Sequence, residues 1–147
     1  MSLPVIHSSF DSGDLNADPT QGLYMEHLSI DEEWLGEDST PLQVAGVFAR
    51  PRRRLRLIVT YTGHIQPMHA APDPLASVRE IITAFEATFI PSNNGDLVEL
   101  LEDGSSRTLA VRPRGTIERG PVPEFVPAVI VFTSYEAADW QLTPGGS

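Results

Sequence analysis

The 147-residue sequence contains no cysteine. Disulfides, thiolate zinc sites and cysteine nucleophiles are therefore excluded, and the redox state of the compartment leaves no mark on the chain. Lysine is absent too. All ten basic residues are arginine, set against twenty acidic ones for a net charge of −10. An acidic surface of this kind disfavours general nucleic-acid binding, because phosphate contacts need a positive field. A GC-rich genome accounts for the arginine bias without any functional demand. No run of about eighteen apolar residues occurs, so no transmembrane helix is expected. The start, Met-Ser-Leu-Pro-Val-Ile-His7, lacks the charged and apolar regions of a secretory signal. The length suits one domain with its own core.

What is present is organised around one stretch, Asp73 to Ile90. Leu75, Val78, Ile81, Ile82, Phe85 and Phe89 recur at three- and four-residue steps and form one apolar stripe. Asp73 can cap, Pro74 suits the first helical position, and Ser77 with Glu80 offers a second capping box. Pro91-Ser-Asn-Asn-Gly95 stops the helix. The spacing predicts a helix over about 74–90, dependent on one face and flanked by strands on both sides.

The segments around it alternate as strands do. Residues 4–21 are rich in Ser, Asp, Asn and Gly and read as an arm or loop. Leu23 and Met25 alternate, with a bulge or bend expected at Glu26-His27. Asp31-Glu-Glu33 and Glu37-Asp38 flank Trp34 as a solvated acidic loop, without calcium-loop spacing. Pro41 to Ala49 is strand-like. The clearest strand is Leu55 to Thr62, with Leu55, Leu57, Val59 and Tyr61 on one face and Gly63 at its end. Asp103-Gly104 between two apolar runs predicts a hairpin. A bend is expected at Pro113-Arg-Gly115. Phe125 to Tyr135, apolar on both faces at 128–132, reads as a central last strand covered on one side by the helix. Trp140 pins the chain end. The expected fold is α+β and mainly β: a β-sandwich or split barrel with one amphipathic helix packed on it. The domain plan is a flexible arm over 1–21, a single β-rich domain over 22–142, and a tail or cloning remnant over 143–147.

Chemistry is sparse. His7, His27, His64 and His69 are scattered, and the His64/His69 spacing matches no helical or strand-face metal pair. There is no Gly-x-Ser-x-Gly and no phosphate-cradling glycine loop. Asp31, Glu32 and Glu33 sit in polar sequence, where nothing raises a carboxyl pKa for acid catalysis. No catalytic, cofactor or metal residues are assigned, and the expectation is a protein that is not an enzyme. Arg50, Arg52, Arg53, Arg54 and Arg56 make the sharpest local charge contrast, half of all the arginines. A phosphate or carboxylate contact is the functional reading; the favoured one is a solvated strand start that pairs with acidic loops of this chain or of an identical neighbour, and with Trp34 these arginines are the candidate subunit interface.

The order of elements resembles the siphophage distal tail proteins. The residues that carry the likeness are Arg-Leu-Arg-Leu-Ile-Val-Thr-Tyr-Thr-Gly63, the helix ending Phe-Glu-Ala-Thr-Phe-Ile-Pro91, and Gly95-Asp-Leu-Val-Glu-Leu-Leu-Glu-Asp-Gly104. Arg107-Thr-Leu-Ala-Val-Arg-Pro-Arg-Gly115 and Phe132-Thr-Ser-Tyr135, shortly followed by a tryptophan, complete it. The resemblance covers about residues 50–140 and is a pattern of elements rather than a diagnostic motif. It implies a hexameric ring at the tip of a non-contractile phage or prophage tail. The partners would be copies of itself, the tail tube and the baseplate hub, with DNA only in transit and no membrane. The location implied is the virion tail, assembled in the bacterial cytoplasm. Many such proteins carry a second, C-terminal domain; this sequence stops after Trp140, so either that domain is absent or it has been cut away, and receptor binding is not carried over. Rival readings are a tail-tube or tail-terminator subunit, a monomeric ligand-binding barrel with a buried cavity, and a small hydrolase. The last would gather histidine and carboxylates distant in sequence.

Overall fold

The computed structural model describes residues 5–11, 13–15, 22–35, 53–118, 123–135 and 138–144. Among the described residues, eight strands form one antiparallel sheet and a single helix packs on it. The strands are β1 (Val5–Phe10), β2 (Gly13–Asp14), β3 (Leu23–Leu35), β4 (Arg53–Ile65), β5 (Gly95–Leu101), β6 (Ser106–Ile117), β7 (Val126–Ser134) and β8 (Gln141–Thr143); the helix is α1 (Pro74–Thr88). The order across the sheet is β2-β1-β5-β6-β7-β4-β3, and β8 pairs with β6 beyond the end of β7. The fold is thus mainly β with one helix, as the alternation of apolar residues predicts.

Apart from the fully exposed β2 and β8, each strand turns a row inward with buried residues on it. Met25, Leu57, Val59, Tyr61, Leu97, Leu109, Val111, Ala128, Ile130 and Phe132 form a single core with Val78, Ile82, Phe85 and Phe89 of the helix. The sheet curls far enough for its two edges to meet at one residue. Leu15 N–H donates to the Ser8 carbonyl (3.0 Å), and Met25 N–H donates to the Leu15 carbonyl (2.8 Å). Leu15 therefore forms a seam between β1 and β3 without a strand ladder between them.

The helix lies across one mouth of this curled sheet. Asp73 caps it by accepting the Ala76 N–H, and Pro74 opens it. Ser77 is not part of a capping box: its hydroxyl accepts the Met68 N–H instead and ties the crossover to the first turn. At the other end, the Asn93 amide donates to the carbonyls of Ala87 and Thr88, and Gly115 N–H donates to the Phe89 carbonyl (2.8 Å). Gly115 is required there because a Cβ would sit 2.6 Å from the Phe85 ring.

Several expectations are corrected. Residues 5–11 and 13–15 are not a free arm: β1 pairs with β5 over Val5–Phe10, and Phe10 and Leu15 are buried. The strand escapes a hydropathy reading because its pattern is inverted, with Ser8 inward and Ile6 outward. Gly63 does not end β4, which continues to Ile65. A Cβ on Gly63 would lie 1.9 Å from the Tyr24 carbonyl oxygen, so glycine lets β3 approach rather than breaking the strand. Asp31, Glu32 and Glu33 are not loop residues but exposed positions of the edge strand β3, where charge discourages pairing with foreign strands. No bend separates Pro113 from Gly115. Gly115 directs its N–H away from β7, so Pro113, two residues earlier, places its missing donor on that same side, beyond the end of the β5 ladder. β7 is central as expected, between β6 and β4, but it is not the last strand, since β8 follows. The β3–β4 register shifts twice, between His27 and Ser29, one residue past the expected break, and again between Glu33 and Trp34. Pro41 to Ala49, Glu37 and Asp38 lie outside the described residues.

Candidate functional site

Alternation along a strand puts every second residue on one face, and four inward rows carry a polar residue among apolar neighbours. On β5 it is Glu99, between Leu97 and Leu101; on β6, Arg107, before Leu109; on β4, Tyr61; on β3, His27. With Ser8 of β1 they meet in the interior, so five strands contribute one residue each. Glu99, Tyr61 and Ser8 have no exposed surface. His27 and Arg107 retain 18% and 12% side-chain exposure.

Each oxygen of Glu99 accepts twice. Oε1 takes Arg107 Nε at 2.8 Å and Nη2 at 2.7 Å, while Oε2 takes His27 Nδ1 at 2.6 Å and the Tyr61 hydroxyl. With the Tyr61 proton committed to Glu99, the Ser8 hydroxyl donates to the Tyr61 oxygen at 2.6 Å. The ring of His27 meets that of Tyr61 edge to face at 5.4 Å, and the Arg107 guanidinium lies 4.3 Å over the Trp140 ring. Burial alone would push the Glu99 carboxyl up. The hydrogen bonds from His27 and Tyr61 and the positive charges of His27 and Arg107 outweigh it, and the carboxyl is held below its ordinary range. Tyr61 moves the other way. Burial and the adjacent Glu99 charge raise its phenol far above its usual value, so it stays a neutral donor.

A histidine oriented by a buried carboxylate is the arrangement a hydrolase would use to fix a base. Here, however, both carboxylate oxygens are doubly occupied and enclosed, and the tyrosine proton is already placed. The cluster is a saturated polar knot that joins β1, β3, β4, β5 and β6 across the seam.

Neither the protein-family models, nor the curated proteins, nor the solved structures give a match to this chain.

The candidate interface residues are distributed differently. Arg50 and Arg52 lie outside the described residues. Arg53, Arg54 and Trp34 belong to the outer end of the β3–β4 hairpin, where Trp34 faces Arg54 and Leu35 faces Arg53 in register; their side chains are not described. Arg56 is paired within the chain, Nε 3.4 Å from Glu33 Oε1, with both side chains about 40% exposed. At that exposure such a pair contributes roughly 0–1 kcal/mol. The histidines are not brought together. His7 contacts Asp14 at 3.2 Å, and His64 stacks on Phe125 at 4.6 Å and bonds Gln66. Among the described residues no group of three histidines and acids has metal-site geometry.

Proposed function

We propose that this chain is a structural subunit of a bacteriophage or prophage non-contractile tail, one copy of a ring at the tail tip between tail tube and baseplate hub. The observation that carries the reading is the β3–β4 hairpin. Both strands are 13 residues long, yet the ladder between β4 and β7 ends at Ile58, paired with Thr133. Leu57 is still buried and donates its N–H to the Ser134 hydroxyl; beyond it, among the described residues, β4 pairs with β3 alone, with acidic residues on one strand and arginines on the other. A two-stranded ribbon is marginal alone, so it suits a surface completed by a neighbour. The net charge of −10 fits a ring through which DNA passes without being held.

The interior weighs against a ligand-carrying barrel, because Met25, Tyr61, Leu97, Leu109, Ile130 and Phe132 fill it with side chains. Native mass measurement with negative-stain imaging tests the proposal. The expected result is a six-fold ring with a central hole. A chain that stays monomeric at high concentration, both alone and with purified tail tubes, refutes it.

A further inference from the structure

A chain of net charge −10 repels its own copies, so two copies meet most readily where local charges are complementary. Of the arginines with described side chains, Arg56 is paired with Glu33 and Arg107 with Glu99. Arg79, Arg112 and Arg114 meet no carboxylate among the described residues. Arg112 and Arg114 are neighbours, two positions apart on the exposed row of β6 and roughly 7 Å from each other along the strand. The Arg112 guanidinium lies 4.9 Å over the Tyr135 ring, which limits its freedom without neutralising it.

The strand registers carry this row across the outer face of the sheet. Arg112 faces Thr133 of β7, Thr133 faces Ile58 of β4, and Ile58 faces Asp31 of β3. Arg114 opens the next row, and Glu26 closes the one after it. Between the two borders these rows hold only threonine, valine and isoleucine. The face is therefore basic along β6, acidic along β3 and weakly apolar in the middle. It is also uncovered: Val129 at its centre is 38% exposed, and Leu28 at the β3 bulge is 61% exposed. Asp31 is exposed and has no cationic partner among the described residues. The borders lie three strand spacings apart, roughly 14 Å, and no ion pair joins them within the chain.

We propose that a second copy of the chain packs on this face, related to the first by a two-fold axis parallel to the strands. That rotation turns one face onto the other and reverses the strand order, while each row keeps its height along the strands. β6 of each copy then lies over β3 of the other, and β7 lies over β4. Arg112 of each copy opposes Asp31 of the other, and Arg114 sits in the row between Asp31 and Glu26. Val129 and Val131 meet the threonines of β4. Because the sheet curls, the two faces diverge toward their borders, and the long, fork-ended arginine side chain suits that wider gap to a carboxylate. The contact is isologous and stops at two copies. It is separate from the head-to-tail contact of a ring and does not rest on the ring reading.

Charge exchange tests it. Wild type, Arg112→Glu, Asp31→Arg and an equal mixture of the two variants are compared by sedimentation equilibrium across a concentration series. Both positions are exposed, so melting curves matching wild type certify folding. Wild type is expected to pair, and less so as salt rises. Each variant alone sets like charges against each other twice, and is expected to pair about tenfold or more weakly. The mixture is expected to regain pairing, because positions 112 and 31 again carry opposite charges across both contacts. A wild type that does not pair, a variant that pairs as well as wild type, or a mixture without recovery overturns the proposal. Six-fold rings indifferent to both substitutions overturn this face alone, whereas pairs that never close into a ring support it and count against the ring reading.

Discussion

Replacing Glu99 by glutamine keeps the shape of the interior knot and removes its charge. The amide oxygen can still accept from Arg107, but the amide nitrogen now faces His27 Nδ1 and the Tyr61 hydroxyl, where an acceptor stood. Arg107 is left as a cation at 12% exposure with no anion beside it. Removing one member of a buried pair costs about 3–5 kcal/mol. At about 3 °C per kcal/mol for a domain of this size, the melting temperature should fall by about 9–15 °C. The pH dependence sharpens the test. Because the folded carboxyl titrates below its ordinary value of 4.5, the unfolded chain takes up this proton first as pH falls. The stabilisation is therefore complete above that value and is lost as pH falls through the lower folded one. Glu99→Gln lacks this contribution at every pH, so its deficit should be full at neutrality and shrink in acid. Urea titrations of both chains from neutral pH downward measure this. A deficit under about 1 kcal/mol at neutrality, or one that does not change with pH, refutes the account of the knot. A cycle with Arg107→Met adds a second check: the double variant should be less destabilised than the sum by about 1–3 kcal/mol.

Tyr61→Phe removes the donor to Glu99 and the acceptor of Ser8, and chemical denaturation should register a loss of about 1.5–3 kcal/mol. Gly115→Ala drives a methyl group into Phe85 and Phe89, and the same assay should show about 1–3 kcal/mol of overpacking. Asp73→Ala removes the helix cap and should cost about 1 kcal/mol, read as a small drop in melting temperature.

The helix was the most legible element because its signals are local. Cap, first-turn proline and stop all fall within 20 residues, and the 74–90 expectation overshoots α1 by two positions. Even its stripe is not uniform, since Leu75 at one end remains 37% exposed while Val78, Ile82, Phe85 and Phe89 are buried. β4, with its clean alternation, was legible for the same reason, as were β5 and β7 as apolar runs bounded by turn residues. What failed was whatever depends on a distant partner. β1 alternates with its polar residue inward, and only the Tyr61 hydroxyl, 53 positions away, explains why Ser8 is buried. Gly63 and Pro113 look like breakers until the neighbouring backbone is known. The polar knot left one readable trace, a charged residue on an otherwise apolar row in each of two adjacent strands. Glu99 and Arg107 face each other in register across the Asp103-Gly104 hairpin, and that pairing could have been predicted.

The position of β1 also fixes an order of events on the ribosome. Phe10 pairs with Leu97, so β1 waits until 87 further residues have been synthesised before its partner exists. The β3–β4 hairpin and the helix can form earlier, from contacts close in sequence, whereas seating β1 requires closing the longest loop in the molecule. β1 is thus placed after the helix and the β3–β4 hairpin, although it is made before them. A nascent chain halted before β5 would leave its amino-terminal strand available to chaperones, to proteases or to another copy of itself.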